Sequence, residues 1–264
     1  MTRSILIRVD GNSRMGLGHI IRSNALAYIL KQDFDITFYC RYIPESIAYE
    51  ILNCGFNLTR LEDDSTFLNY VNKNSIVVLD GYHFTTDLHR RIKNKGAVLV
   101  CIDDINDNKI EFLADLIINH GPQVDAKEYW AQANTKFALG LDYTLVRPAF
   151  QEQMNTHRKI SSLETILICF GGSDPLNITE KTLRIVLNVQ FFKKVIVITG
   201  PEYKLSENFR SLVSVDERLD HRSSLNEKQM LNSMLESDLA IVPASGILLE
   251  VLSVGVPAIT GYYV

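Results

Sequence analysis

The sequence of 264 residues lacks several features that mark particular classes of protein. It contains only four cysteines, which are widely spaced and form no Cys-x-x-Cys pair, so neither a disulfide framework nor a zinc site is indicated. No uninterrupted apolar run approaches the roughly 20 residues that a membrane-spanning helix needs. Arg8 and Asp10 interrupt the N-terminal apolar stretch too early for a signal peptide. We therefore expect a cytoplasmic protein without a membrane partner.

An excess of basic residues is also absent. The chain has 27 Lys and Arg against 31 Asp and Glu, and its formal net charge is −4. A large nucleic-acid footprint needs clustered positive charge, so we expect no nucleic-acid partner. A mildly acidic protein can still bind a phosphorylated ligand, because backbone amides and helix ends supply local positive potential.

The four cysteines are best interpreted as buried free thiols. Cys40, Cys101 and Cys169 lie in apolar segments, and Cys54 precedes a glycine after an apolar helix. A free cysteine commonly behaves as a small buried hydrophobic residue.

Short runs rich in Val, Ile and Leu alternate with longer amphipathic stretches, and 46% of the residues are hydrophobic. The apolar runs predict strands at Ile5–Val9, Ile36–Cys40, Ile76–Leu79, Val98–Ile102, Leu116–Ile118, Thr165–Phe170, Val195–Thr199, Leu239–Val242 and Pro257–Ile259. The amphipathic stretches predict helices at His19–Leu30, Ser46–Asn53, Thr86–Lys95, Asn177–Val189, Leu225–Leu235 and Ile247–Val254. The capping box Ser224-Leu-Asn-Glu227 predicts the start of the helix at Leu225–Leu235.

This alternation predicts an α/β protein with two Rossmann-like, doubly wound domains. Near-continuous apolar strands are typical of parallel sheets covered on both faces. A more polar stretch from Arg147 to Leu163 separates two strand–helix sets, so we place the domain boundary near residue 160. We expect residues 1–160 and 161–264 to present their strand ends to a shared ligand-binding cleft.

The first chemical motif is Asp10-Gly-Asn-Ser-Arg-Met-Gly-Leu-Gly-His-Ile-Ile-Arg22, which joins the first strand to the first helix. Gly16 and Gly18 allow a tight turn and a close approach to a ligand. His19 falls at the helix N-terminus, where the helix dipole favours the neutral imidazole that a general base requires. The alternative is a glycine-rich turn with a structurally satisfied histidine. The glycine spacing does not match the dinucleotide-binding fingerprint.

The second motif, Phe170-Gly-Gly-Ser-Asp-Pro-Leu176, also lies between a strand and a helix. The amides of Gly171 and Gly172, the Ser173 hydroxyl and the N-terminus of the next helix could together hold a diphosphate. We expect Asp174 to cap that helix rather than to act in catalysis. The alternative is an ordinary strand–helix turn.

The third motif is Pro243-Ala-Ser-Gly-Ile-Leu-Leu-Glu-Val-Leu-Ser-Val-Gly-Val-Pro257. Ser245 and Gly246 begin a helix where they can approach phosphates. Glu250 is a single carboxylate on an otherwise apolar helical turn, and it could accept both hydroxyls of a ribose. The alternative is a glutamate that faces solvent.

Polar residues also follow two neighbouring predicted strands of the first domain. Asp80, Tyr82 and His83 follow one strand, and Asp103-Asp104 follows the next. The acidic pair could hold a divalent cation, although paired acids after a strand are also common as helix caps or loop residues.

The remaining histidines divide into two groups. Asn119-His120-Gly121 is a further candidate at a strand end. We expect His89, His157 and His221 to lie on the surface, because their sequence neighbours are polar.

In combination, these motifs resemble the UDP-sugar hydrolases of pseudaminic acid biosynthesis. The similar segments are Gly16-Leu-Gly-His19 with Arg22, Asp80-Gly-Tyr82, Phe170-Gly-Gly-Ser-Asp174 and Ala244-Ser-Gly…Glu250…Gly255-Val-Pro257. Their order and separation fit from about residue 4 to the C-terminus. The pattern is shared by spore-coat polysaccharide proteins, and the C-terminal half is similar to MurG-type glycosyltransferases of the GT-B fold.

The resemblance implies hydrolysis of UDP-2,4-diacetamido-2,4,6-trideoxy-β-L-altropyranose to UDP and the free sugar, with inversion at the anomeric carbon. By motif position, His19 would activate the water and Tyr82 would contact the sugar or the water. The phosphates would be contacted by Gly172, Ser173, Ser245 and Gly246. The ribose would be contacted by Glu250. The other substrate-binding positions that the motifs imply are Gly16, Gly18, Arg22, Asp80 and Gly171.

The same motifs leave two other functions open. A GT-B glycosyltransferase would use the UDP-sugar as a donor, and a binding module would hold it without turnover. For the hydrolase we expect no cofactor and no metal, and we expect a monomer. Members of the resembled family continue past the last strand with an Asn-containing segment and a helix, so we expect residues 161–264 to lack a terminal segment.

Overall fold

The computed structural model describes residues 4–12, 15–105, 110–154, 157–172, 174–201 and 203–261. The chain divides into two compact units, Met1–Leu145 and Val146–Val264. Ser173, two residues of the first glycine-rich motif (13 and 14) and residues 262–264 lie outside the described residues. Within the described ranges, no helix is long and apolar enough to span a membrane.

Unit 1 contains a fully parallel sheet in the order β3-β2-β1-β4-β5-β6-β7. The strands are β1 (Ser4–Val9), β2 (Asp35–Cys40), β3 (Asn57–Arg60), β4 (Ser75–Asp80), β5 (Val98–Ile102), β6 (Leu116–Asn119) and β7 (Lys136–Leu139). The helices are α1 (Gly18–Leu30), α2 (Glu45–Asn53), α3 (Asp64–Phe67) and α4 (Thr86–Asn94), with 3₁₀ turns at Ala126–Glu128 and Leu141–Tyr143.

Unit 2 contains a second parallel sheet in the order β10-β9-β8-β11-β12. The strands are β8 (Thr165–Cys169), β9 (Lys194–Thr199), β10 (Leu219–Ser223), β11 (Leu239–Pro243) and β12 (Ala258–Gly261). The helices are α5 (Pro148–Gln151), α6 (Ile178–Leu187), α7 (Glu207–Val215), α8 (Glu227–Leu235) and α9 (Gly246–Ser253).

Both sheets are covered on both faces, which confirms the predicted α/β class. Along β1, Ile5 and Ile7 pack into one apolar cluster and Leu6 packs into another on the opposite face. In unit 2, Ile166 and Leu167 of β8 divide in the same way. Side chains that alternate between two buried faces require apolar residues at every position, and this produces the near-continuous runs in the sequence.

Each sheet is doubly wound, with one point at which the strand order reverses. In unit 1 the order turns between β1 and β4, and in unit 2 it turns between β8 and β11. In open α/β sheets, ligands bind outside the carboxyl ends of the strands at this switch point. The motifs that follow β1, β4, β8 and β11 therefore occupy the favoured ligand positions of their sheets.

The division between the units comes before the predicted boundary near residue 160. Pro148–Gln151 forms α5, and Phe150 is fully buried in the same cluster as Val146. The Ala149 amide also donates a hydrogen bond of 2.6 Å to Glu227 Oε1. These contacts anchor the segment to unit 2, although most of its residues are polar.

The predicted capping box at Ser224 is wrong by two residues. Asn226 is the N-cap of α8, and it exchanges the two capping hydrogen bonds with Gln229. Ser224 instead has a left-handed φ of 52° and lies in the preceding turn. The amide oxygens of asparagine and glutamine accept the two backbone hydrogen bonds that a serine hydroxyl and a glutamate carboxylate accept in the predicted capping box.

Three of the four thiols are buried as predicted, and none of the four cysteines forms a disulfide. Burial raises the pKa of Cys40 to about 12 and that of Cys169 to about 11. The prediction is wrong for Cys54, which is exposed at the end of α2.

The structure corrects the prediction that His89 lies on the surface. His157 is exposed and His221 is partly buried, but only 1% of His89 is exposed. His89 lies on α4 with Leu88 and Ile92 on the face that packs against the sheet. The polar residues around it in the sequence occupy the other face of the helix.

We predict that His89 makes folding sensitive to acid. Burial lowers the pKa of His89 to about 4, whereas an unfolded histidine titrates near 6.5. The stabilisation by neutral His89 is complete above about pH 6.5 and is lost as the pH falls towards 4. Urea unfolding at pH 7 and pH 4.5 should show a loss that is about 2 kcal/mol larger for the wild type than for His89→Gln. The exposed control His157→Gln should lose as much as the wild type, and an equal loss in His89→Gln would contradict the prediction.

Candidate functional site

At the switch point of unit 1, an aspartate from β4 contacts the histidine of α1. His19 is the second residue of α1, which begins immediately after the turn containing Gly16 with φ of 80°. Its Nδ1 lies 2.7 Å from Oδ1 of Asp80, the last residue of β4. Asp80 can only accept a hydrogen bond from Nδ1, whereas Nη2 of Arg22, which lies 3.0 Å from the same nitrogen, can only donate one. The Asp80 contact is the shorter of the two and favours the tautomer with the proton on Nδ1, in which Nε2 is unprotonated as a general base requires.

Arg22 and Ser23 hold the Asp80 carboxylate in place. Arg22 donates from Nε to Oδ2 at 2.8 Å and from Nη2 to Oδ1 at 2.6 Å, and Ser23 Oγ donates to Oδ2 at 3.0 Å. Asp80 is fully buried. Burial alone would raise the pKa of Asp80, but the Arg22 guanidinium and the hydrogen bonds hold it below its ordinary value. Asp80, held by Arg22, therefore fixes the position of the His19 ring.

Tyr82 contacts both His19 and Asp104. The edge of its ring contacts the His19 ring with a centroid distance of 4.5 Å and an interplanar angle of 78°. Its hydroxyl donates a 2.6 Å hydrogen bond to Asp104 Oδ1, and Asp104 also accepts from Arg22. Tyr82 is 57% exposed, so it borders on solvent as a ligand contact must. Burial of its hydroxyl and the Asp104 carboxylate raise the pKa of Tyr82 above its ordinary value.

Asp103 and Asp104 contact different partners. Asp104 binds Tyr82 and Arg22, whereas Asp103 Oδ2 accepts a 2.9 Å hydrogen bond from Tyr129. The described part of the chain contains no group of three or more His, Cys, Asp or Glu side chains placed to hold a metal ion. Sequence reasoning treated Asp104 as a cation ligand, a helix cap or a loop residue and missed its hydrogen bond to Tyr82.

The other two strand-end histidines differ in their surroundings. Ile118 of β6 pairs with Ile102 of β5. His120 and Asp104 each follow two residues later, so they lie beside each other at the carboxyl ends of these strands. Burial and the Arg22 charge lower the pKa of His120. His83 instead has Nε2 at 3.5 Å from Oδ2 of Asp10, which is itself bound to buried Arg8. His83 therefore belongs to a separate cluster.

Five glycines of the motifs leave space beside the backbone. Each is exposed, and a Cβ added to any of them would meet no atom within 4 Å outside its immediate surroundings. These residues are Gly16, Gly18, Gly171, Gly172 and Gly246. Their open backbone is suited to close approach by a ligand.

In unit 2, the predicted diphosphate cradle is only partly available. Gly171 follows β8 and has φ of 85°, a conformation that favours glycine. Asn177 rather than Asp174 is the N-cap residue of α6, and its side chain makes no capping hydrogen bond. Asp174 still satisfies the helix end as expected, because its oxygens accept from the Ile178 and Thr179 amides at 2.9 and 2.7 Å. The same contacts correct the expectation that the N-terminus of α6 is open to a phosphate. Ser173 lies outside the described residues.

Gly200, which sequence reasoning missed, fixes the position of this glycine pair. Gly200 directly follows β9, and a Cβ there would lie 2.3 Å from both Cα and the carbonyl oxygen of Gly172. The only sequence signal was a glycine placed immediately after a strand. The two backbones touch because neither residue has a side chain.

We predict that Gly200→Ala displaces the Gly172 backbone. The overlap should lower the free energy of unfolding by about 1–3 kcal/mol, as overpacking commonly does. Urea unfolding measures this loss. Gly261→Ala is the matched control in the same sheet, since its Cβ would meet nothing within 4 Å. Equal stability of the two variants would show that the loop accommodates the methyl group without cost.

The N-terminus of α9 is open where that of α6 is blocked. Ser245 is the N-cap of α9, but its side chain makes no capping hydrogen bond, and both Ser245 and Gly246 are exposed. The first amides of an uncapped helix attract anions through their N–H groups and the helix dipole. The chain thus has an exposed helix N-terminus without a side-chain cap at the switch point of unit 2.

Glu250 lies one turn further along α9 and is not the solvent-facing residue of the alternative interpretation. Only 6% of it is exposed, and its two carboxylate oxygens accept from Nε and Nη2 of Arg147 at 2.7 and 2.8 Å. Sequence reasoning missed Arg147, because nothing in the sequence near residue 147 indicates a partner 103 residues away.

No family model matches the chain. Its sequence is 26% identical over 269 residues to the uncharacterized protein MJ1062 of Methanocaldococcus jannaschii, covering 98% of this chain and 55% of that protein. It is 27% identical over 259 residues to the spore coat polysaccharide biosynthesis protein SpsG of Bacillus subtilis, covering 96% of this chain and 75% of SpsG. The chain therefore spans just over half the length of the first relative and three quarters of the second.

The structure is similar to several solved proteins at low sequence identity. MurG of Acinetobacter baumannii matches with a TM-score of 0.59 and 14% identity, over 99% of this chain and 79% of MurG. UGT2 of Phytolacca americana, solved with UDP-2-fluoro-glucose and pterostilbene, matches with 0.62 and 12%, over 98% and 80%. A UDP-N-acetylglucosamine 2-epimerase from Rickettsia bellii matches with 0.57 and 12%, over 97% and 78%. Taken with the two parallel sheets, these likenesses show that the chain has the two-domain α/β fold of the GT-B class.

Proposed function

We propose that the chain acts on a UDP-sugar and hydrolyses UDP-2,4-diacetamido-2,4,6-trideoxy-β-L-altropyranose to UDP and the free sugar. Water would attack the anomeric carbon with inversion, and the bond between that carbon and the diphosphate oxygen would break. The observation that carries this proposal is the His19–Asp80 pair at the switch point of unit 1.

The geometry of that pair suits a base that removes a proton from water. Asp80 favours the tautomer with the proton on Nδ1, and in that tautomer Nε2 accepts the proton from water. Arg22 holds the aspartate, and the exposed Tyr82 borders the imidazole. A base placed in this way typically accelerates proton transfer by about 10²–10⁴-fold. Because UDP is already a good leaving group, the proposed reaction needs no strong acid.

Unit 2 offers groups suited to the nucleotide. We assign the diphosphate to the uncapped N-terminus of α9, at Ser245 and Gly246, and to the Gly171-Gly172 turn. Backbone N–H groups in such positions stabilise the negative charge that grows on a departing diphosphate. Glu250 would accept the ribose hydroxyls. The cytoplasmic location, the monomeric state and the absence of a metal requirement remain part of the proposal.

The relatives support the same class of chemistry. SpsG is named for spore coat polysaccharide biosynthesis, and UGT2 was solved with a UDP-sugar. An epimerase among the neighbours is named for UDP-N-acetylglucosamine. We therefore propose a role for this chain in the biosynthesis of a polysaccharide or of its sugar precursors.

The direct test is incubation of the chain with the altropyranose substrate in ¹⁸O-labelled water, without an acceptor and with EDTA present. We expect release of UDP, with ¹⁸O in the free sugar and none in UDP, and NMR should first detect the inverted anomer. Label in UDP would contradict cleavage at the anomeric carbon. Turnover that requires an added acceptor would identify a glycosyltransferase, and UDP binding without turnover would identify a binding module.

A further inference from the structure

Unit 2 contains an ion pair between Arg147 and Glu250 that the sequence did not indicate. The guanidinium meets the carboxylate edge to edge, with two parallel hydrogen bonds of 2.7 and 2.8 Å. Both side chains are largely buried, at 17% exposure for Arg147 and 7% for Glu250. Paired donors of this kind fix the plane of a carboxylate as well as its position.

The backbone and a neighbouring ring hold Arg147 itself. Arg147 precedes Pro148, which restricts it to the extended conformation that is observed, with φ of −57° and ψ of 152°. Its guanidinium also lies 5.1 Å from the centre of the Phe150 ring. Because Phe150 is fully buried, this contact holds the Arg147 guanidinium against the hydrophobic core.

The pairing with Arg147 does not use up the acceptor capacity of Glu250. A carboxylate offers about four lone-pair positions, and the two hydrogen bonds from Arg147 occupy one on each oxygen. One position therefore remains on each oxygen. Two neighbouring hydroxyl groups, as on a ribose ring, need two acceptors at this spacing, so both hydroxyls and Arg147 can bind the same carboxylate.

We propose that Arg147 is a positioning residue that orients Glu250 to select a ribonucleoside diphosphate over its 2′-deoxy form. This rests on the proposed function, because it takes the ligand of unit 2 to be a UDP-sugar. A fixed carboxylate loses little conformational freedom when the diol binds, so the 2′-hydroxyl contributes its full hydrogen bond. Without Arg147 the glutamate can rotate, and that advantage is lost.

Calorimetry on the full chain with UDP and with 2′-deoxy-UDP tests this assignment. For the wild type we expect UDP to bind about 10- to 100-fold more tightly than 2′-deoxy-UDP, as one hydrogen bond to a charged group implies. Arg147→Gln should reduce this ratio to about threefold or less. Arg147→Lys keeps the charge but not the paired donors, so it should give an intermediate ratio.

The control is a second arginine–glutamate pair in the same unit. Arg184 donates to Glu180 Oε1 from Nε at 3.2 Å and from Nη2 at 2.7 Å, and Arg184→Gln should keep the wild-type ratio. Circular dichroism on every variant identifies a loss of folding, and Arg147→Lys serves if Arg147→Gln does not fold.

The outcomes separate this inference from the proposed function. If the wild type binds neither nucleotide, the proposed function fails and the role of Arg147 fails with it. If the wild type prefers UDP and both folded Arg147 variants keep that preference, only the role of Arg147 is overturned. A merely structural Arg147 would lower stability without changing the ratio.

Discussion

Replacement of His19 by alanine is expected to lower kcat by about 10²–10⁴-fold, the range that a positioned general base contributes. The proposed nucleotide-binding groups lie in unit 2, so the affinity for UDP should stay within about threefold of the wild type. His19 is nearly buried against Asp80 and Tyr82, and its removal deletes the only proton acceptor that the proposed mechanism uses. The measurement is UDP release under saturating UDP-sugar, with UDP affinity determined by calorimetry.

The matched control is His157→Ala, since His157 is exposed and lies in unit 2. It should keep full turnover. Turnover by His19→Ala close to that of the wild type would remove His19 from the mechanism.

The second large effect is expected from Asp80→Asn, which acts on both turnover and stability. An asparagine amide can present its NH₂ group to Nδ1 and so favour the imidazole tautomer with the proton on Nε2, which cannot act as a base. We expect kcat to fall by at least about 10²-fold. The change also leaves the Arg22 guanidinium, only 6% exposed, without its main counter-charge. Breaking a buried pair in this way costs about 3–5 kcal/mol.

Urea unfolding and UDP release together test this prediction. Asp216→Asn is the matched control, because it breaks an aspartate–arginine pair near the surface of unit 2, where side-chain exposures are 24% and 21%. Such pairs contribute about 0–1 kcal/mol. Asp104→Asn separates the two roles, since it leaves the His19–Asp80 contact in place. An Asp80→Asn protein with wild-type kcat would show that the histidine does not depend on the aspartate.

Position in the sheet accounts for the strands that sequence reasoning missed, although β12, which also lies at an edge, was found. β1, β4, β8 and β11 are interior strands, and their apolar runs were evident in the sequence. The missed strands β3, β7 and β10 each lie at a sheet edge. The segment of β10, Leu-Asp-His-Arg-Ser, has only one apolar residue. An edge strand borders solvent on one side and needs fewer apolar residues, so its sequence resembles that of a loop.

The candidate site divides in a similar way. The glycine-rich turns, His19 at the start of α1 and the Asp174 cap could be read from short segments, because each depends on residues close together in the chain. His19 and Asp80 are 61 residues apart, and both were named without any sign that they touch. Gly200 and Gly172 meet only because β9 lies beside β8.

The sequence by itself therefore determined the α/β class, the two strand–helix sets and the turns at which ligands are expected to bind. Alternation of apolar strands with amphipathic helices is a local property, since each segment records which of its faces are buried. Only the tertiary structure decided the partners of the charged groups: Asp80 with His19 and Arg22, and Arg147 with Glu250. Those pairings depend on strand order and register, which bring together side chains that no local pattern connects.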